Sequence, residues 1–252
     1  MARYQRRRKN PTPDVSGVLL VDKPVEWTSH DVVNMVRSRF RFNKVGHCGT
    51  LDPLATGLIV VVIGDATKLS NHLTADDKIY QTNLTFGKET SSYDAEGEVT
   101  RTAPYEHITE DALRECIASF QGDQMQIPPM VSAIKKDGKK LYELARKGIE
   151  IEREARPVKM NSLDISRIEL PEVDFTLHCS KGTYVRVLCK DIGDKLDSAA
   201  FMSGLRRTQS GIFTLDKAHT VAELKEMERE NVEPLILPLA DVVAQLAELK
   251  QS

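Results

Sequence analysis

The stretch Gly46-His47-Cys48-Gly49-Thr50-Leu51-Asp52-Pro53-Leu54-Ala55-Thr56-Gly57 places one carboxylate among residues that build turns. Asp-Pro starts turns readily, because the Asp side chain bonds nearby backbone and Pro presets its own φ. Upstream, GVLLVD (Gly17 to Asp22) reads as a buried strand, and Thr28 or Ser29 can cap a helix whose Val32, Val33 and Val36 recur at helical spacing. Downstream, LIVVVIG (Leu58 to Gly64) is short, β-branched and bounded by Gly, which suits a buried strand better than a helix. The turn therefore joins two ordered segments, and its neighbours call for an α/β fold built on a sheet.

Farther out, Tyr80, Thr82, Leu84 and Phe86 share one face of a strand that Tyr80 begins. Thr109 can cap a helix carrying Leu113, Cys116, Ile117 and Phe120 on one stripe and stopping at Gly122. The segment Ile127 to Arg156 opens with a Pro pair, gains charge and holds one short helix near Leu141 to Ala145, the pattern of an inserted element. Alternation around Val158 to Ile168 and Val173 to Cys179 predicts two more strands of a large mixed sheet. Thr183 can cap a helix with Val185, Leu188 and Ile192 inward. Arg186 then falls in the first turn, where it opposes the helix dipole by ~0.3–1 kcal/mol and calls for a nearby carboxylate. A strand-like run through Leu205, Arg206 and Arg207 follows. Thr220 and Glu223 then match a capping box, and a last helix is expected around Val242 to Leu249.

The 252 residues can bury one main domain, and 40% hydrophobic with 29% charged residues is an ordinary globular composition. No apolar run reaches the ~18 residues a bilayer requires, and the basic N-terminus lacks an apolar segment behind it, so a cytoplasmic, membrane-free protein is expected. Cys48, Cys116, Cys179 and Cys189 form no CxxC pair and show no zinc-ligand spacing with His; they read as reduced core thiols, and no metal is expected. The net charge of -2 hides three basic clusters: Arg3 to Lys9, Arg37 to Lys44, and Lys135, Lys136, Lys139, Lys140, Arg146 and Lys147. Clustering of this kind suits a polyanionic partner.

Asp52 lacks the Gly-Lys-Ser/Thr ending of a phosphate loop, and its nearest acidic neighbours in sequence, Asp31 and Asp65, are too far along the chain for a local carboxylate pair. His47 and Cys48 are adjacent, so on a strand they face opposite ways and make a poor thiol–base couple. His47, Gly49 and Thr50 instead suit the rim and hinge of the turn.

GHCGTLDPLATGLIVVVIGDATK, with GVLLVDKPVEWTS upstream, closely resembles the catalytic-motif region of the TruB family of tRNA pseudouridine synthases. KIYQTNLTFG, PPMVSAIKKDGKKLYELARKG, CSKGTYVRVLCKDIG and LRRTQSGIF resemble later family segments in the same order, over nearly all of residues 15 to 215. The resemblance implies the pseudouridine synthase catalytic fold, a central, largely antiparallel mixed sheet flanked by helices. It implies a catalytic domain over 15–240 with an RNA-clamping insert at 124–152, after a basic tail at 1–14 and before a C-terminal helix at 241–252. Family members isomerise uridine 55 in the T loop of tRNA without cofactor or metal. By resemblance Asp52 is the nucleophile, Arg186 its ion-pair partner, and Tyr80 the aromatic that stacks on the target base. His47, Tyr184 and Leu205 match pocket positions, and Lys135, Lys139 and Lys140 would contact phosphates of the T arm. Lys23 and Pro24 match a motif that buttresses the catalytic turn.

Two departures stand out. Where the family tends to read Thr-Asp-Thr, this chain has Thr90-Ser91-Ser92 before Asp94, and no role is assigned to that loop. Bacterial members usually carry a small C-terminal RNA-binding domain, of which only one helix is expected here. Two other functions remain open from sequence: a tRNA-binding or folding protein acting without catalysis, and a glycoside hydrolase, for which no second carboxylate can be named. A monomer is expected, with tRNA as its partner.

Overall fold

The computed structural model describes residues 15–74, 76–132, 134–136, 138–145 and 147–248; the expected basic tail, Arg146 and residues 249–252 lie outside the described residues. The chain divides into two compact units, Met1–Asp76 with Gln209–Ser252 and Asp77–Thr208.

The first unit starts with β1 (Gly17–Lys23), α1 (Ser29–Phe40), β2 (Val45–Cys48), β3 (Thr56–Ile63) and a short α2 (Ser70–Thr74). Strands β1 and β3 run antiparallel from Gly17↔Ile63 to Lys23↔Gly57, and β2 pairs antiparallel with β3. Every residue of β3 after Thr56 is buried, so the strand is covered on both faces, and that is why it reads as an unbroken apolar run instead of an alternation. Val18, Leu20, Leu58, Val60 and Val62 join Cys48 in one core. At ~1.5–3 kcal/mol for each large apolar side chain removed from water, these two strands anchor the unit. Helix α1 packs on β1 and β2 and buries Val32, Val33, Val36 and Phe40. Thr28 caps it in a reciprocal box: its Oγ1 accepts from the Asp31 N–H at 3.0 Å, and Asp31 Oδ2 accepts from the Thr28 N–H at 2.9 Å.

The second unit contains β4 (Lys78–Phe86), β5 (Lys88–Thr90), β6 (Val99–Thr102), α3 (Glu110–Ala118) and β7 (Gly122–Gln126). The two-residue strands β8 (Lys135–Lys136) and β9 (Lys139–Lys140) precede α4 (Leu141–Ala145). The unit closes with β10 (Arg156–Glu169), β11 (Glu172–Cys179), α5 (Val185–Lys195) and β12 (Ala200–Ser210). Its sheet has the order β12-β4-β11-β10-β7, with β4, β11, β10 and β7 successively antiparallel. Helix α3 packs on β10 and on α5, and α5 on β4.

Two helix readings change. Thr109 caps α3 as expected, but the helix ends at Ala118; Phe120 lies beyond it, and Gly122, at φ +97°, opens β7. Gln124–Gln126, where the resemblance starts the insert, lie in β7 and pair with β10. The cap of α5 is Tyr184, while the Thr183 hydroxyl donates to the Ser180 carbonyl at 2.9 Å.

The chain returns to the first unit through the end of β12, where Gln209 and Ser210 pair with β13 (Phe213–Thr214). Next come β14 (His219–Thr220), parallel to β1, and α6 (Val221–Glu226), with the expected Thr220–Glu223 capping box. The short α7 (Arg229–Val232), β15 (Leu237–Pro238), antiparallel to β1, and α8 (Leu239–Glu248) complete it. The fold is mixed α/β and largely antiparallel, as expected. Among the described residues no helix is long and apolar enough to cross a membrane.

Candidate active site

In the first unit the turn between β2 and β3 carries Asp52, half-buried, with Leu51 and Ala55 buried on either side. Gly49 (φ +73°) and Gly57 (φ +96°) bracket it in backbone conformations that a side chain would strain. The Ala55 N–H donates to the Asp52 carbonyl at 3.1 Å, closing the Asp-Pro turn on itself.

Two buried polar side chains pin this turn to the segment between β1 and α1. Ser29, at the first position of α1, accepts from the Leu51 N–H at 2.8 Å and donates to the Leu51 carbonyl at 3.0 Å. Lys23, the last residue of β1, is 0% exposed, and its ammonium donates to the carbonyls of Trp27 (2.6 Å), Pro24 (3.0 Å) and Pro53 (3.2 Å). The Glu26 N–H, from a residue at φ +67°, reaches the Pro53 carbonyl at 3.0 Å. An ammonium taken out of water is costly unless hydrogen-bonded, and here its three donors meet three carbonyls. The sequence assigned Lys23 a buttressing part, and its contacts are of that kind. His47 lies half-buried on β2, one residue from the fully buried Cys48.

In the second unit Tyr80 stands on β4, 8% exposed, on the face shared with Thr82, Leu84 and Phe86. Leu205 lies half-buried on β12. Tyr184 caps α5, and the Gln126 amide holds its backbone on both sides: Oε1 accepts from the Tyr184 N–H at 2.8 Å and Nε2 donates to its carbonyl at 3.1 Å. Arg186, 3% exposed in the first turn of α5, has its guanidinium carbon 5.9 Å from the centre of the Tyr184 ring. Its NH2 donates to the Val131 carbonyl at 2.5 Å and its NH1 to the Ser92 carbonyl at 3.4 Å.

The carboxylate that the position of Arg186 calls for within this unit is Asp94, 2% exposed, with Oδ2 at 3.5 Å from Arg186 NH1. The sequence assigns that loop no role; the structure brings its Asp94 to Arg186. No local signal could have found Asp94, because it meets Arg186 only through the tertiary fold. Gln126 was missed for the same reason. Lys135 and Lys139 are placed by backbone pairing alone, Lys135 opposite Lys140 and Lys136 opposite Lys139 in the β8–β9 pair. All four cysteines are buried. Burial pushes the Cys179 thiol up to about 12 and raises Cys189 further, so neither supplies a thiolate at neutral pH.

The fold recurs in solved structures. A Cbf5-Nop10-Gar1 complex aligns with TM-score 0.69 at 29% identity, covering 88% of this chain and 60% of that one. An archaeal box H/ACA Nop10-Cbf5 complex aligns at 0.66 and 26% identity, covering 88% and 59%. This chain thus spans about 60% of the chains in those structures. Among curated relatives, a tRNA pseudouridine synthase B of Opitutus terrae is 46% identical over 91% of this chain and 95% of its own length. That of Alkaliphilus oremlandii is 48% identical over 89% and 74%. Residues 37–185 match the TruB family pseudouridylate synthase N-terminal domain, and residues 186–244 the tRNA pseudouridylate synthase B C-terminal domain. The chain belongs to the TruB family of pseudouridylate synthases. It is an enzyme, an isomerase that makes pseudouridine.

Proposed function

We propose that this protein converts uridine 55 in the T loop of tRNA to pseudouridine, with Asp52 as the nucleophile. The observation that carries the reading is the turn at Asp52: a half-exposed carboxylate on a turn whose backbone is held by a fully buried lysine and a buried serine. Rigid presentation of one anion suits a reaction whose reacting centre is a sugar carbon.

Uridine in a folded loop must leave its stack, at about a few kcal/mol, before its ribose can meet a protein side chain. As the bond from C1′ to N1 breaks, C1′ becomes oxocarbenium-like, and an adjacent carboxylate captures or stabilises it, as in glycosidases. The freed base turns and bonds to C1′ through C5, any bond from C1′ to the carboxylate breaking to return the free anion; C5 gives up its proton and N1 gains one, so product and substrate are isomers and no cofactor is consumed. Arg186 serves to keep the nucleophile ionised. Tyr80 stacks on the base and assists loss of the C5 proton. By resemblance His47, Tyr184 and Leu205 each contact the extruded nucleotide, and the lysines of β8 and β9 contact T-arm phosphates.

The homologous names support tRNA as substrate, since the relatives above are tRNA pseudouridine synthases. The test is to incubate the protein with unmodified tRNA and map pseudouridine by nucleotide. Conversion at position 55 alone is expected. Binding with no conversion would favour an RNA-binding role, and release of free uracil would indicate hydrolysis.

A further inference from the structure

We infer that Ser92 is a positioning residue for Arg186, acting through both its side chain and its backbone; the inference rests on the part given to Arg186 above. The Ser92 hydroxyl donates to Asp94 Oδ1 at 2.5 Å, and the Ser92 carbonyl accepts from Arg186 NH1 at 3.4 Å. One residue therefore touches both members of the buried pair.

The direct contact between those members is loose. Asp94 Oδ2 lies 3.5 Å from Arg186 NH1, beyond the usual range of a charge-assisted bond. With side chains only 2% and 4% exposed, the pair has little solvent around it to correct a misoriented carboxylate. What sets the carboxylate plane is Oδ1, which receives Ser92 Oγ and the Glu96 N–H at 3.1 Å. Without the hydroxyl, a single amide remains on that oxygen among these contacts, and Oδ2 can swing away from the guanidinium.

The surrounding loop is shaped to hold that hydroxyl. Thr90 Oγ1 donates to the Asp94 carbonyl at 2.6 Å, and the Tyr93 N–H reaches the Thr90 carbonyl at 3.0 Å from a residue at φ +64°. A side chain at Gly97 would place its Cβ 2.4 Å from Ser92 Oγ and 2.7 Å from Ser92 N, so glycine there leaves the serine its room. Asp94 itself is tied to β12, its neighbours exchanging backbone bonds with Met202 at 3.0 and 3.1 Å. The loop backbone is thus held by several bonds besides those of Ser92, whose hydroxyl approaches the Asp94 carbonyl at 3.5 Å and makes its short bond to the carboxylate.

The experiment compares Ser92→Ala, Ser92→Thr and Arg186→Lys by single-turnover conversion, RNA dissociation constant and melting temperature. Ser92→Ala is expected to slow conversion about tenfold, equivalent to ~1.4 kcal/mol, with RNA affinity and melting temperature unchanged. Ser92→Thr, which keeps the hydroxyl, is expected to restore the rate to within about twofold of wild type. Wild-type turnover in Ser92→Ala beside a strongly impaired Arg186→Lys overturns the positioning role alone. A loss that tracks melting temperature equally in the alanine and threonine variants also overturns it, marking Ser92 as merely structural. Full activity in Arg186→Lys overturns the functional reading of Arg186, and this inference with it.

Discussion

Replacing Lys23 with Met keeps an unbranched chain of similar length in the core and removes only the ammonium. Three carbonyl acceptors then lose a donor at 2.6, 3.0 and 3.2 Å. They do not suffer equally. Pro53 keeps the Glu26 N–H at 3.0 Å, and Pro24 is an exposed residue whose carbonyl can turn to water, so the Trp27 carbonyl, holding the shortest bond, bears most of the loss. A buried acceptor left unmet costs ~1–3 kcal/mol, and the remaining two bonds to a charged donor add less than their full worth. Net destabilisation of ~2–4 kcal/mol follows, a fall of roughly 4–16 °C in melting temperature for a chain of this size. Urea unfolding followed by tryptophan fluorescence checks it locally, because the chain's single tryptophan is Trp27, one of the three partners. Conversion should fall further than the folded fraction, since the same contacts hold the backbone of the Asp52 turn. A Lys23→Met protein as stable as wild type, within ~0.5 kcal/mol, would refute the claim that this ammonium secures the turn.

Thr28→Ala removes the cap of α1 and should cost ~1 kcal/mol near neutral pH. Bonds from Thr28 hold the Asp31 carboxyl below its usual range, so its stabilisation is present above the ordinary Asp pKa and lost as pH falls through the lowered folded value. The cost of Thr28→Ala should accordingly shrink in acid, as unfolding curves across that range would show. Native protein should leave all four thiols unreacted with an aromatic disulfide reagent at pH 8, and unfolded protein should expose four; a fast native reaction would contradict their burial. The Lys139→Ala/Lys140→Ala double variant should flatten the dependence of log K on log salt by up to about 1.8, at roughly 0.9 per phosphate contact, while leaving the saturated rate unchanged. An unchanged slope would remove these lysines from the RNA contact.

Much of the fold was legible because its signals are local. Seven consecutive buried positions in β3 required an apolar run, and the Thr28 and Thr220 caps follow from residues three apart in sequence. The turn at Asp52 was equally readable, with glycines at two positive-φ positions and Asp-Pro between them. What escaped depends on distant partners. Thr183 looks like a cap from sequence, yet its hydroxyl turns back to Ser180 while the amide of Gln126, from another strand, takes the Tyr184 backbone. The position of Arg186 against a helix dipole announced that a carboxylate was needed, but not that Asp94 would supply one from a loop far upstream.

The most direct test is Asp52→Asn, a change of one oxygen to nitrogen on a turn whose backbone bonds it leaves alone. With unmodified tRNA in single turnover, no pseudouridine should form at position 55, while T-arm affinity stays within about tenfold, or ~1.4 kcal/mol, of wild type. Pseudouridine formed by that variant at a rate near wild type would take the reaction away from Asp52.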